Sequence, residues 1–269
     1  MNDAARAHEA LVGLAGALRS GRSVLLALDF DGTLAPLVDD PAQSRALPQA
    51  ADALDRLSRV HGLRLAVVSG RALDDLTRLA PLPEGTLLVG SHGAERGHMT
   101  DGQVIRDELT LDGEAADRLE RVERAMTDAV AGSSARLEHK PASVVLHTRR
   151  ADADDAARLT EVALTLAEPG VDVMHGKDVV ELSVLDITKG HALADLRAEL
   201  AVDVLVYAGD DVTDERAFAT LGEDDLTIRV GPGDTAARHR VPDPEALAAA
   251  LADLADACDQ AHLERERQA

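Results

Sequence analysis

The stretch Leu26-Ala-Leu-Asp29-Phe-Asp31-Gly32-Thr33-Leu34 decides how the rest of the chain is read. The apolar run from Val24 to Leu28 predicts a buried strand. It ends in two aspartates two positions apart, followed by a glycine that permits a sharp turn. Two carboxylates therefore gather at a strand's carboxyl end, which in an open α/β sheet lines the ligand crevice. Packing like charges there is costly unless a cation or a reaction needs them. The bland alternative is a strand followed by an Asp-Gly turn, and the other strand ends decide between the two.

Leu63 to Val68 predicts a second strand, ending in Ser69-Gly70-Arg71 ahead of a helix with Leu73, Leu76 and Leu79 on one face. A hydroxyl and a glycine at a helix amino end make an anion seat, or else a plain serine cap. Thr188-Lys189-Gly190 opens a helix burying Leu193 and Leu196. Lys189 then lies in the first turn, where the helix dipole disfavours a cation unless an anion sits beside it. Val204 to Ala208 is a further strand, followed by Gly209-Asp210-Asp211-Val212-Thr213-Asp214-Glu215, with four carboxylates in six residues. Capping explains one or two of these, and a metal site is expected from the rest. Carboxylates for an oxygen-loving cation, with hydroxyl, lysine and backbone donors for an anion, describe phosphoryl transfer assisted by Mg2+. In that chemistry Asp29 is the nucleophile, and Asp31 protonates the leaving alcohol and later activates water. Ser69 and Lys189 hold the transferring group.

Composition narrows the partners. The 269 residues are 45% apolar, enough for a substantial core in one large or two smaller units. With two Phe, one Tyr and no Trp that core is aliphatic, and an aromatic stacking platform is not expected. A formal charge of −21 argues against nucleic acid and anionic membranes as partners. The helix expected at about 4 to 19 lacks the build of a signal peptide and nothing approaches a membrane span, so a cytoplasmic protein is expected. Cys258, the one cysteine, reads as a small apolar filler in a closing helix at about 244 to 262. Lysine occurs only at 140, 177 and 189 in a chain rich in arginine. Its compact, movable charge marks these three as candidates for tasks that arginine's planar fork cannot do, with chance placement the alternative.

Between Leu87–Val89, a third short strand followed by Gly90-Ser91-His92-Gly93-Ala94-Glu95, and Thr188 the character changes. A turn at Asp101-Gly102, helices at about 113 to 131 and 152 to 167, and strands near 135–140, 143–149, 171–175 and 178–184 predict an inserted antiparallel domain at 97–180, leaving 1–96 and 181–269 as the core. Asp152, Asp154 and Asp155 read as caps of the helix they precede. Period two puts Glu138 with Lys140 on one face of their strand and His147 with Arg149 on one face of the next, with Leu137, Val144 and Leu146 opposite. Lys177 and Glu181 share parity on a third strand. The charged face is either solvated or a platform for a ligand.

These elements, in this order and on these strands, resemble the haloacid dehalogenase superfamily of phosphatases. The resemblance spans most of the chain and implies a Rossmann-like parallel α/β core with an inserted, smaller α+β cap of the C2 type. Within the superfamily the chain is most similar to the trehalose-6-phosphate phosphatase family. The shared motifs are Asp29-Phe-Asp-Gly-Thr-Leu-Ala-Pro, Gly90-Ser-His-Gly-Ala-Glu95, Glu138-His-Lys-Pro-Ala-Ser143 with His147-Thr-Arg149, Gly176-Lys-Asp-Val-Val-Glu181, and Gly209 to Glu215. The resemblance implies a phosphoric monoester hydrolase of trehalose biosynthesis. By the same resemblance Mg2+ is expected to be held by Asp29, the Asp31 carbonyl and Asp210, with Asp211 and Asp214 behind them. Ser69, Gly70, Arg71, His92, His147 and Arg149 are expected to contact the substrate, and Glu138, Lys140, Lys177 and Glu181 to bind the sugar hydroxyls. His139 departs from the family pattern, and its side chain is expected to point away from the ligand. A monomer is expected, with trehalose-6-phosphate synthase a candidate partner. The rival readings are a related phosphatase for glucosyl- or mannosyl-3-phosphoglycerate and a non-catalytic partner that binds the sugar phosphate.

Overall fold

The computed structural model describes residues 3–185 and 187–268, with side chains as far as Ala261. The chain divides into two compact units, Met1–Asp107 with Thr188–Ala269, and Glu108–Ile187. The first holds α1 (Asp3–Arg19), β1 (Val24–Leu28), α2 (Pro48–Leu57), β2 (Leu63–Val68), α3 (Leu73–Leu79), β3 (Leu87–Gly90), β4 (Glu95–Thr100) and β5 (Gln103–Arg106). The second holds α4 (Gly113–Val130), β6 (Arg136–Lys140), β7 (Ser143–His147), α5 (Ala153–Thr165), β8 (Asp172–Gly176) and β9 (Val179–Ser183). The chain then returns to the first unit with α6 (Lys189–Leu200), β10 (Val204–Gly209), α7 (Val212–Thr220), β11 (Leu226–Val230), β12 (His239–Val241) and α8 (Pro244–Gln268).

The first unit is built on one sheet in the order β12-β11-β10-β1-β2-β3-β4-β5, parallel as far as β3 and antiparallel beyond it. All five residues of β1 are buried, so both faces of the strand need cover. Val24, Leu26 and Leu28 face a core with Leu11 of α1, Leu54 of α2, Leu76 of α3 and Leu251 of α8. Leu25 and Ala27 face the opposite core, with Leu193 of α6, Tyr207 of β10 and Phe218 of α7. This two-sided cover fixes β1 and β10 centrally and brings Asp29 and Asp210 side by side, just past paired strand ends. Among the described residues no helix is long and apolar enough to cross a membrane.

The second unit is an antiparallel sheet in the order β6-β7-β9-β8 with two helices. Asp152 caps α5 through a hydrogen bond from the Asp155 amide at 2.9 Å. The expected insert, 97–180, differs from the observed unit at both ends. Asp101 and Gly102, both at positive φ, make a two-residue turn that folds β5 back on β4, and this hairpin extends the core sheet. Met99 of β4 is 7% exposed and belongs to the first core, which is why residues 95–106 stay with that unit. At the far end β9 runs to Ser183 and remains paired with β7 and β8.

Candidate active site

Just past the carboxyl ends of β1 and β10 lies a cleft of about 400 Å³ in the first unit, lined by Asp29, Asp31, Ser69, Gly70, Arg71, His92, Lys189, Asp210 and Asp211, with Leu37, Val38 and Pro41. Lys189, the first residue of α6, is 2% exposed. Its Nζ donates to Asp29 Oδ1 at 2.9 Å and to Asp214 Oδ1 at 2.8 Å. The anions that offset its helix-start position are therefore two of the protein's own carboxylates. Burial opposes the ammonium, but the fields of Asp29 and Asp214 prevail and hold Lys189 protonated, above its ordinary range. Burial raises the Asp29 carboxyl well above the usual carboxylate range, with Lys189 opposing and Asp214 reinforcing the shift.

Asp214 is fully buried and saturated. Its Oδ1 accepts from Lys189 and from Tyr207 Oη at 2.5 Å, and its Oδ2 accepts from the amides of Asp210 at 2.9 Å and Asp211 at 3.0 Å. A carboxylate offers about four lone-pair sites, and all are taken. Asp211 in turn caps α7 by accepting from the Asp214 amide, closing a reciprocal capping box. Gly209 is required here because a Cβ on it would lie 2.2 Å from Asp214 Cγ. Burial penalises the Asp211 carboxylate, yet Lys189, the Thr213 hydroxyl and the Asp214 amide bring it down to about 2.

Among the described residues, Asp29, Asp210 and Asp214 each present a carboxylate oxygen within 4.8 Å of the others, close enough to share a cation. Asp214 has no oxygen to give, whereas the Asp210 side chain accepts no hydrogen bond among the described residues. Burial, then Asp214 and Asp211, push Asp210 up to about 6, outweighing the opposing fields of Lys189 and Arg229. Gly32, at φ +72°, leaves the space that this carboxylate fills, since a Cβ there would lie 2.0 Å from Asp210 Oδ2. Hard oxygen donors with few positive charges among them suit a divalent cation, and Asp214 orients the loop that carries Asp210 and Asp211.

Other expected residues are placed less simply. The Asp31 side chain turns to Arg71 and Ser44, so among the acidic side chains of the site it stands apart from the cation cluster. Ser69 does not cap α3, which starts at Leu73 with Ala72 as its N-cap. It is 2% exposed in the loop after β2, where its Oγ accepts from the Arg71 amide at 3.2 Å. Ser91 and His92 both adopt positive φ, a strained pair that swings the His92 ring into the space a side chain on Gly70 would need.

In the second unit, β6, β7 and β9 carry Glu138, Lys140, Ser143, His147 and Glu181 on one face. Lys140 Nζ donates to both Glu181 oxygens at 3.2 and 3.3 Å, and Ser143 Oγ to Glu181 Oε1 at 2.7 Å. His147 Nε2 lies 2.8 Å from Glu138 Oε2, and this bond lowers the Glu138 carboxyl. His139 points to the opposite face, against Glu123 of α4 at 3.1 Å. Two residues fall off the sheet. β7 ends at His147, so Arg149 is exposed in the following turn, and Lys177 occupies the turn between β8 and β9, where Asp178 takes positive φ. The sequence reasoning missed Ser44 and Tyr207. The lone tyrosine in an aliphatic strand two residues before Gly209 was a signal, because a buried phenol needs a partner. Ser44 carried none.

The family model described as Trehalose-phosphatase matches residues 27–245. A relative from Sinorhizobium fredii, named as a probable trehalose-phosphate phosphatase, is 38% identical over 238 residues, covering 86% of this chain and 87% of the relative. A bifunctional trehalose-6-phosphate synthase/phosphatase from Thermoproteus tenax is 35% identical over 86% of this chain, which spans 32% of that longer protein. Among solved structures, one titled as a trehalose-6-phosphate phosphatase related protein superimposes with a TM-score of 0.66 at 29% identity, covering 88% of this chain and 99% of the other.

Proposed function

The chain belongs to the trehalose-phosphatase family, and on that premise we propose that it hydrolyses trehalose 6-phosphate to trehalose and phosphate, with Asp29 as nucleophile and Mg2+ as cofactor. The observation that carries the reading is the buried Asp29–Lys189–Asp214 arrangement beside an unpaired Asp210. Asp29, Asp210 and the Asp31 carbonyl would hold the ion, which would neutralise the repulsion between a carboxylate nucleophile and the phosphate dianion. Lys189 fixes Asp29 by Oδ1, leaving the second oxygen to attack phosphorus. The P–O bond to the sugar breaks as Asp31 gives its proton to the leaving oxygen. Asp31 then takes a proton from water, which attacks the aspartyl phosphate and releases inorganic phosphate and free Asp29. Ser69, Gly70 and His92 border the transferring group. Phosphate release from a panel of sugar phosphates, with and without Mg2+, tests the assignment. Release from glucosyl- or mannosyl-3-phosphoglycerate in preference to trehalose 6-phosphate overturns the substrate, and no release from any overturns the enzyme. The bifunctional name of the T. tenax relative supports a trehalose-6-phosphate synthase as a functional neighbour.

Metal and protons compete for Asp210. Its folded-state value, about 6, lies above the ordinary carboxylate range, so it gains a proton as pH falls through about 6 and the cation must displace it. The sign follows: Mg2+ should raise the melting temperature at pH 7.5 and lose most of that effect by pH 5. A shift of equal size at both pH values contradicts Asp210 as a ligand.

The sugar hydroxyls are assigned to Glu138, Lys140, His147 and Glu181. Lys177 and Arg149 are retained as contacts from the adjoining turns. Charge-assisted hydrogen bonds are worth roughly 1.5 to 3 kcal/mol each. Lys140→Ala should therefore lower kcat/KM for trehalose 6-phosphate about ten- to a hundredfold. Hydrolysis of a small aryl phosphate should change little. Equal losses on both substrates would make the residue structural, and no loss on either would leave the face merely solvated.

A further inference from the structure

The guanidinium of Arg71 is engaged within the protein. Its Nε donates to Asp31 Oδ2, its Nη2 donates to Asp31 Oδ1 at 2.6 Å, and its Cζ lies 5.7 Å from the centroid of the Phe30 ring. Ser44 Oγ donates to the same Oδ1 at 3.0 Å from a residue that is 0% exposed. An ionised carboxylate has about four lone-pair sites. Two on Oδ1 and one on Oδ2 are occupied, so one site on Oδ2 is left. The carboxylate cannot rotate to present another without breaking the fork, whose planar geometry a lysine cannot reproduce.

We propose that Arg71, backed by Ser44, is a positioning residue: it clamps Asp31 so that the remaining lone pair of Oδ2 is the seat of the transferred proton, and it does not itself grip the phosphate. The proposal rests on the acid/base role given to Asp31 above. It also reassigns Arg71 from the substrate contacts expected of the Ser69-Gly70-Arg71 triplet. Ser44 sits beyond the Pro36–Pro41 loop, so that loop ties the proton-transfer group to the wall of the cleft.

The test is a set of double-mutant cycles on the full chain with Mg2+. Arg71→Ala, Arg71→Lys and Ser44→Ala are each made alone and with Asp31→Asn. The readouts are kcat for trehalose 6-phosphate, inhibition by inorganic phosphate and thermal unfolding. Arg71→Ala should lower kcat roughly ten- to a hundredfold, a share of the ~10²- to 10⁴-fold that a positioned acid or base supplies. Arg71→Lys should not restore it, and Ser44→Ala should cost about threefold, since of the three bonds it removes the one whose donor carries no charge. Inhibition by phosphate should stay within about twofold, and in the Asp31→Asn background none of the three should cost anything further. Weakened phosphate inhibition, with losses that persist beside Asp31→Asn, would assign Arg71 to the phosphate and overturn the proposal, as would a silent Arg71→Ala. Should Arg71→Ala fail to fold, Arg71→Lys and Ser44→Ala carry the same cycles. If Asp31→Asn alone is silent, the acid/base reading fails and this proposal with it, a result distinct from a cycle that does not close.

Discussion

Asp29→Asn is expected to abolish turnover, with a loss greater than about 10⁴-fold, because an amide cannot form the acyl phosphate on which both steps depend. The fold should survive. The replacement is nearly isosteric, and Lys189 keeps Asp214 as a partner at 2.8 Å. Phosphate release and trapping of the phosphoenzyme are the measurements. Turnover within tenfold of the unaltered chain, once contaminating phosphatase is excluded, would remove Asp29 from the mechanism.

Lys189→Met is expected to be the most damaging single change to stability in the site. It removes the one buried cation between Asp29 at 4% and Asp214 at 0% exposure. Leaving a buried charge without its partner costs about 3–5 kcal/mol. In a chain of this size that lowers the melting temperature by on the order of 10 °C. The pH dependence identifies the cause. Burial already raises both carboxyls, and without the lysine they rise further, so their ionisation penalty is present above the folded-state values and is relieved as pH falls through them. The deficit relative to the unaltered chain should therefore shrink between pH 7.5 and pH 5. A deficit that is constant with pH would point to lost packing around the lysine stem.

Much of this arrangement was legible in the sequence because strand ends are local signals. Each apolar run from Val24, Leu63 and Val204 stops where its polar residues begin, and a parallel sheet then gathers those ends regardless of the distance along the chain. Lys189 stood out for an equally simple reason, as one of three lysines in a chain that otherwise uses arginine. What was not legible depends on side-chain direction. Nothing in the order of residues says that Asp31 turns towards Arg71 while Asp29, two positions earlier, turns towards Lys189. Strand parity failed at Lys177 and Arg149 because each lies just outside its strand, where period two no longer applies. The hairpin at Asp101-Gly102 was recognised as a turn, but which sheet it joined was decided by the tertiary packing of Met99.

The central place of β1 also sets an order of events during synthesis. One edge of β1 pairs with β2, about forty residues later, but the other pairs with β10, with Val24 opposite Val204. At ~5–20 residues per second, those 180 positions take on the order of ten to forty seconds to translate. Until then the nascent chain carries a fully apolar strand with one open edge, the kind of surface on which chains pair wrongly with one another. The same delay applies to catalysis: Asp29 is made early, and the lysine that accompanies it arrives 160 residues later. The Asp29–Lys189 constellation is thus a product of late, long-range closure, and the first unit cannot complete it until the chain has passed through the second.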